Sequence, residues 1–367
     1  MKAVVLVGGE GTRLRPLTFT TPKSLLPVAN QPYIERQLAW LARHGIDEVI
    51  LSMGYLPDAF HQHFDHDPSG VDMFGDIRLR YAVEDEPLGT AGAIGYAADG
   101  MDETFIVCNS DVLTELDLSA MVRFHEERRA EATISLTEVA DPSAFGVVPT
   151  REDGQVIAFV EKPPPGTEPS TWINAGTYVL EPSFLERIPP RLNVSVERET
   201  FPRMLEQPGL LYGYKSDAYW LDIGTPENYV RGNLDVLVGR TGLPPAPNAR
   251  EVAEGIWVQG DATLEPDAVV AAPMLVGEGA RVEAGARVRG SVLGPRTVVE
   301  RGAELDGAVL HAGARVSNGS IVRQSAIGAD SVLKPEVTVG DYTIVGAGAT
   351  VASGTQISAG RVPADRA

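Results

Sequence analysis

The chain is poor in the residue types that would place it in several large classes. It has one cysteine, Cys108, so no intrachain disulfide can form, which fits a reducing cytoplasm. It has no apolar run near the roughly 20 residues needed to span a bilayer. Lys2 leads directly into a strand-like run with no small-residue cleavage site, so no signal peptide is expected, and the protein is expected to be cytoplasmic. Aromatic residues are only 7% of the 367, although 43% apolar residues are enough for a core. Cationic excess is also missing. The net charge of −19 repels nucleic acid and anionic membranes, so neither is an expected partner. An anionic substrate must then meet locally placed Arg or Lys, or a metal. Lysine is scarce, five against 26 arginines, which singles out Lys23 and Lys162.

Glycine is abundant, and its placement is informative. The apolar run Ala3–Val7 ends in Gly8-Gly9-Glu10-Gly11-Thr12-Arg13-Leu14-Arg15-Pro16-Leu17-Thr18, with Pro22-Lys23 and Leu26-Pro27 after it. Glycines let a backbone turn sharply and approach a ligand closely. Bare N–H groups in such a turn form an anion nest, to which Arg13 and Lys23 add charge. The segment reads as a polyphosphate site. It is not an ATPase P-loop, because no Gly-Lys-Ser/Thr follows, and it is not a dinucleotide fingerprint, because Leu14 stands where the third glycine belongs.

The chain is long enough for two or three domains. Up to about residue 237, strand-like segments alternate with helix-like ones: Ala3–Val7, Glu48–Met53, Ile77–Ala82, Phe105–Cys108, Thr133–Val139, Val156–Glu161 and Gly176–Leu180 read as strands. A helix is expected from about Pro32 to His44, capped by Asn30 or Gln31, with Ile34, Leu38 and Leu41 on one face and Gly45 ending it. Alternation of this kind predicts an α/β domain built on a mostly parallel, Rossmann-like sheet. Its ligands sit beyond the carboxyl ends of the strands, where the glycine loop lies. Residues 238–250 are rich in Pro and Gly without periodicity and read as a linker. Over 251–360, small aliphatics recur every five or six residues: Leu264, Val270, Val276, Val282, Val288, Leu293, Val298, Leu305, Leu310, Val316, Val322, Ile327. A period of six argues against helix and matches hexapeptide β-helix coils, with irregular coils expected near 290–300 and after 333.

The full string Gly-Gly-x-Gly-Thr-Arg-Leu-x-Pro-Leu-Thr with Pro-Lys and Leu-Pro resembles the signature of the sugar-1-phosphate nucleotidyltransferases, and every one of those positions matches. The repeat region is similar to the left-handed parallel β-helix that many of these enzymes carry at their C-terminus. The resemblance implies a catalytic domain over 1–237 and site roles for matching residues. Gly8, Gly9, Gly11 and Thr12 would hold the nucleotide phosphates, and Arg13 and Lys23 would act in catalysis. Phe105-Ile-Val-Cys-Asn-Ser-Asp111 resembles the strand-terminal Asp motif that binds Mg²⁺, and Trp220-Leu-Asp222-Ile-Gly-Thr-Pro supplies the second ligand, Asp222. Hard carboxylate oxygens suit Mg²⁺. Asp222 also reads as a helix N-cap, and Thr225 with Pro226 starts a helix equally well. Glu161-Lys162-Pro163 is similar to the element whose Glu binds sugar hydroxyls and whose Lys, also catalytic, binds the sugar's phosphate. Asn174 would hold another hydroxyl, and Gly146 would present backbone to the sugar.

Tyr81-Ala-Val-Glu84-Asp-Glu-Pro-Leu-Gly89-Thr90-Ala-Gly92 aligns without gaps to the base-recognition strand and loop, with Gly89 and Thr90 against the base. Thymidylyl and uridylyl members commonly have Gln at the position of Glu84. A carboxylate only accepts, and guanine offers two adjacent donors, N1–H and N2–H₂. The segment therefore points to GTP and looks most like the mannose-1-phosphate guanylyltransferases. The expected reaction is in-line attack of a sugar 1-phosphate, mannose 1-phosphate first, on the α-phosphorus of GTP, with pyrophosphate leaving. Alternatives are a dTTP- or UTP-dependent glucose-1-phosphate enzyme, a bifunctional enzyme whose hexapeptide domain is an acyltransferase with His311 as base, and a non-catalytic nucleotide-sugar sensor. The open ends of a β-helix suggest a homo-oligomer.

Overall fold

The computed structural model describes residues 1–65, 77–207, 209–242 and 244–363. By contacts the chain gathers into two compact units. One comprises Met1–Gly9 and Gln37–Trp220, the other Glu10–Arg36 and Leu221–Ala367.

The first unit is built on a nine-stranded mixed sheet. Phe105–Asn109, Lys2–Leu6, Glu48–Met53 and Arg78–Val83 lie side by side and parallel. Trp172–Leu180 pairs antiparallel with Phe105–Asn109 and with Ala132–Glu138, and Leu211–Lys215 adds parallel to the latter. Gly146–Val147 and Val160–Glu161 complete the edge. The expected mostly parallel sheet is thus present. The expected strand Val156–Glu161 shrinks to its last two residues, because Val156 bridges Thr150 instead. The central strands are apolar runs buried on both faces, as parallel strands must be when helices cover them. Val4, Ile50, Phe105, Val107, Ile134 and Tyr178 form the middle of the core.

The helix Tyr33–Arg43 buries Ile34, Leu38 and Leu41 completely, as the spacing predicts. Neither Asn30 nor Gln31 caps it. Pro27–Val28 and Gln31–Pro32 form a two-residue hairpin. Ala29 and Asn30 fill its turn at φ 47° and 59°, the positive values a type I′ turn demands. The Asn30 amide instead donates to Gln259 Oε1 at 3.0 Å and to the Leu293 carbonyl at 2.8 Å.

The second unit contains a parallel β-helix. Arg281 pairs with Val298, Val298 with Arg315, and Arg315 with Val332, seventeen residues apart each time. Val332 pairs with Thr350, eighteen apart. A coil of three six-residue sides should take eighteen, so the shorter coils each drop one residue. The five-residue steps Val288 to Leu293, Leu305 to Leu310 and Val322 to Ile327 are those deletions, and every one of these side chains is buried. The irregularity expected near 290–300 is therefore a uniform shortening of one side. The coils after 333 are regular, with Leu333, Val339, Val345 and Val351 six residues apart and buried. Val299, fully buried, is the inward residue rather than Val298. Each buried aliphatic is worth about 1.5–3 kcal/mol.

Arg36 is 2% exposed and belongs to this unit. Its guanidinium donates to the carbonyls of Val28 (2.9 Å), Ala29 (3.3 Å), Pro244 (3.1 Å) and Pro245 (2.5 Å), which ties the proline-rich segment down. Burial lowers its pKa to about 10. Among the described residues no helix is long and apolar enough to cross a membrane.

Candidate active site

The parallel strands of the first unit end together, and Gly8, Gly54 and Glu84 follow three of them. Glu84 is fixed through its backbone, whose N–H donates to the Met53 carbonyl at 2.8 Å. Its side chain is fixed at both oxygens. Ser52 Oγ donates to Oε1 at 3.2 Å, and the Leu88 N–H donates to Oε2 at 2.9 Å. The carboxylate lies against the Gly8 and Gly54 backbones. A Cβ built on Gly8 would stand 3.8 Å from Oε1, an ordinary contact, and 3.1 Å from the Gly54 nitrogen, which it would crowd. Gly9 faces open space. Gly89 takes φ 68° and packs so closely on the Asn193–Val194 backbone that a Cβ would stand 2.6 Å from the Val194 carbonyl. Thr90 Oγ1 donates to Glu197 Oε2 at 2.7 Å and accepts from the Val196 N–H at 2.8 Å.

A second group in the same unit surrounds Glu161. Gly146 pairs with Glu161 across the edge strands. A Cβ on Gly146 would come within 2.9 Å of Glu161 Oε2 and of the Phe159 ring. Lys162, at φ 50°, brings Nζ to 3.8 Å from Glu161 Oε1. Burial raises the Glu161 pKa, Glu197 raises it further, and Lys162 and Arg198 oppose them. Asn174 donates from Nδ2 to the Tyr178 hydroxyl at 2.8 Å and accepts the Gly176 N–H at 2.9 Å. Tyr178 is completely buried, which is the main reason its pKa rises well above the usual phenol range; Glu197, Glu161 and Asp111 push it the same way. Those three carboxylates therefore converge on one region. Asp111 follows Phe105–Asn109, in a turn where Ser110 Oγ donates to the Leu6 carbonyl at 2.6 Å.

The second unit holds the cations of the glycine loop. Gly11 takes φ 61°, and a Cβ there would meet Thr18 Cγ2 at 2.9 Å and Lys23 Cβ at 3.0 Å. Thr18 Oγ1 closes the loop on the Gly11 carbonyl at 2.9 Å. Thr12 opens the short 3-10 turn Thr12–Leu14 that presents Arg13. Arg13 Nη2 lies 3.4 Å from Asp222 Oδ2, and Asp222 Oδ1 accepts the Gly224 N–H at 2.7 Å. A Cβ on Gly224 would touch Arg13 Nη2 and stand 2.7 Å from both Asp222 Oδ1 and Lys23 Nζ. Two cations and one carboxylate thus crowd a bare stretch of backbone. Thr225, rather than Asp222, caps the helix Pro226–Leu237, its side chain accepting the Asn228 N–H.

Two other groups are removed from the chemistry. His311 is buried with Nε2 2.9 Å from the Tyr229 hydroxyl, which itself donates to the Pro27 carbonyl at 2.5 Å. Nε2 must then carry the proton and donate, so His311 is a structural donor and no base. Cys108 is fully buried, and burial pushes its thiol up to about 12. Among the described residues no three His, Cys, Asp or Glu side chains form a metal cage.

Sequence reasoning missed Ser52, Glu197 and Arg198. Ser52 carries a signal in hindsight: it is the polar residue in the apolar run Val49–Met53. Glu197 and Arg198 lie in an ordinary charged stretch that no motif marks.

The chain is similar to known proteins over most of its length. The model of the family described as Nucleotidyl transferase matches residues 2–238, and that of the GMPPB C-terminal domain matches 270–366. A mannose-1-phosphate guanylyltransferase of Mycobacterium tuberculosis is 41% identical, with 83% of this chain and 82% of that protein aligned. Mannose-1-phosphate guanylyltransferase 1 of Arabidopsis thaliana is 35% identical, with 94% and 91% aligned. Among solved structures, HddC from Yersinia pseudotuberculosis is 30% identical at a TM-score of 0.55 over 63% of this chain and 97% of its own. The same protein has been solved in complex with GMP-PN.

Proposed function

The chain belongs to the nucleotidyl transferase family, and from that premise we propose that it condenses mannose 1-phosphate with GTP, giving GDP-mannose and pyrophosphate. The observation that carries the proposal is the crowding of Arg13, Lys23 and Asp222 around the Gly224 backbone. Phosphoryl transfer needs charge neutralisation and alignment more than a protein nucleophile. Arg13 and the glycine-loop amides receive the β- and γ-phosphates, and Lys23 neutralises charge beside them. Lys162 receives the phosphate of the sugar, Glu161 and Asn174 accept and donate to its hydroxyls, and Gly146 presents its backbone to the sugar.

Glu84 takes the two adjacent N–H donors of guanine. Each of its oxygens has one described hydrogen bond and keeps lone-pair capacity for another. The guanylyltransferase names of the M. tuberculosis and A. thaliana relatives support this choice of base and sugar.

Asp111 and Asp222 are proposed as ligands of Mg²⁺. The Asp222 side chain fits the role: it is 16% exposed, and its partners are donors, an N–H and a guanidinium, that turn it toward the cation cluster. Bound Mg²⁺ supplies charge neutralisation at phosphate oxygens.

A pyrophosphate-release assay over four nucleoside triphosphates and several sugar 1-phosphates tests the proposal. Turnover is expected to be highest with GTP and mannose 1-phosphate. Strong turnover with only dTTP or UTP would overturn the assignment of Glu84.

A further inference from the structure

Ser52 is 1% exposed in the otherwise apolar run Val49–Met53, a position where a hydroxyl costs free energy unless it is hydrogen-bonded. Its hydroxyl has two acceptors in range, Glu84 Oε1 at 3.2 Å and the Ala93 carbonyl at 3.5 Å, and a single proton to give. The shorter contact is the one to Glu84. The Leu88 N–H holds the other carboxylate oxygen. A carboxylate gripped at one oxygen can still swivel. Gripped at both, with the Gly8 and Gly54 backbones beside it, it has one orientation.

We infer that Ser52 is a positioning residue for purine choice: by fixing Glu84 Oε1 it aligns both carboxylate oxygens for a base that presents two adjacent donors. The inference rests on the guanine reading of Glu84. Without the Ser52 hydroxyl the carboxylate turns about its remaining bond to Leu88. One base donor can then still be met, but two cannot be met together. Guanine, which uses both, loses more than hypoxanthine, which lacks the 2-amino group.

The test compares GTP with ITP on the intact chain, by steady-state kinetics and by equilibrium titration of each nucleotide without sugar phosphate. For Ser52→Ala, kcat/KM for GTP should fall about three- to tenfold through KM, and the GTP-to-ITP preference should shrink by about the same factor. Ser52→Cys keeps the volume but donates weakly and should behave like Ser52→Ala; it serves if the smaller side chain fails to fold. Glu84→Gln should abolish most of the GTP-to-ITP preference. If Glu84→Gln removes that preference while both Ser52 variants retain it, the positioning inference is wrong and the guanine reading stands. If Glu84→Gln leaves the preference intact, the guanine reading fails, and this inference with it. Equal losses for GTP and ITP in the Ser52 variants would reduce Ser52 to a packing residue.

Discussion

Arg13 and Asp222 are 209 residues apart in sequence and 3.4 Å apart in space. The Arg13 side chain is 56% exposed. An ion pair that open to water contributes at most about 1 kcal/mol to stability. Folding alone does not explain why a two-cation cluster is built around the bare Gly224 backbone. A phosphate-binding role does, and it separates the two readouts. Arg13→Ala should lower kcat about 10²- to 10³-fold. Its unfolding midpoint should stay close to that of the parent chain. Turnover near the parent value would remove Arg13 from the chemistry.

Gly146 makes the sugar-phosphate reading testable from the opposite direction, by adding atoms. A methyl there meets the Glu161 carboxylate and the edge of Phe159, both at 2.9 Å. The ring is 9% exposed and has little space to retreat, so the exposed side of the contact, Glu161, must give way. Gly146→Ala should therefore raise KM for the sugar 1-phosphate by about tenfold or more, a loss typical of a displaced charge-assisted hydrogen bond. KM for the nucleotide should change far less. Equal changes in both, measured by steady-state kinetics with each substrate varied in turn, would place the Glu161 group outside the sugar subsite.

Much of this was legible in the chain, for physical reasons that differ by region. The β-helix declares itself because each side of a coil needs one inward aliphatic, so the period survives in the sequence. Its one-residue deletions are harder to see, since choosing between Val298 and Val299 requires knowing which neighbour fills the bore. Two strand ends were legible because the apolar runs Ala3–Val7 and Phe105–Cys108 stop at glycine and at polar residues, Gly8 and Asn109. The tight hairpin at Ala29 and Asn30 was not, because nothing local marks Asn30 as reaching for Gln259 instead of capping the next helix. The same limit hid Ser52 and Glu197. Their partners are Glu84 and Thr90, and only the folded chain brings them together.

His311 gives a pH test of the β-helix side. Burial lowers its pKa from 6.5 to about 4, because the charged imidazolium is disfavoured away from water. Between those two values the unfolded chain binds a proton that the folded chain refuses. Stability must then rise with pH across that window, and it is lost as pH falls from about 6.5 toward 4. One such group contributes up to about 3 kcal/mol at the full shift. His44 and His125 are also lowered chiefly by burial, so they add slope of the same sign. His311→Gln retains a donor for Tyr229 but carries no titrating group. Denaturant unfolding at intervals from pH 7 to 4 should therefore give a shallower loss for the variant, with the difference concentrated below 6.5. Parallel curves for the two proteins would mean that His311 titrates alike in the folded and unfolded chains, so that burial does not depress it.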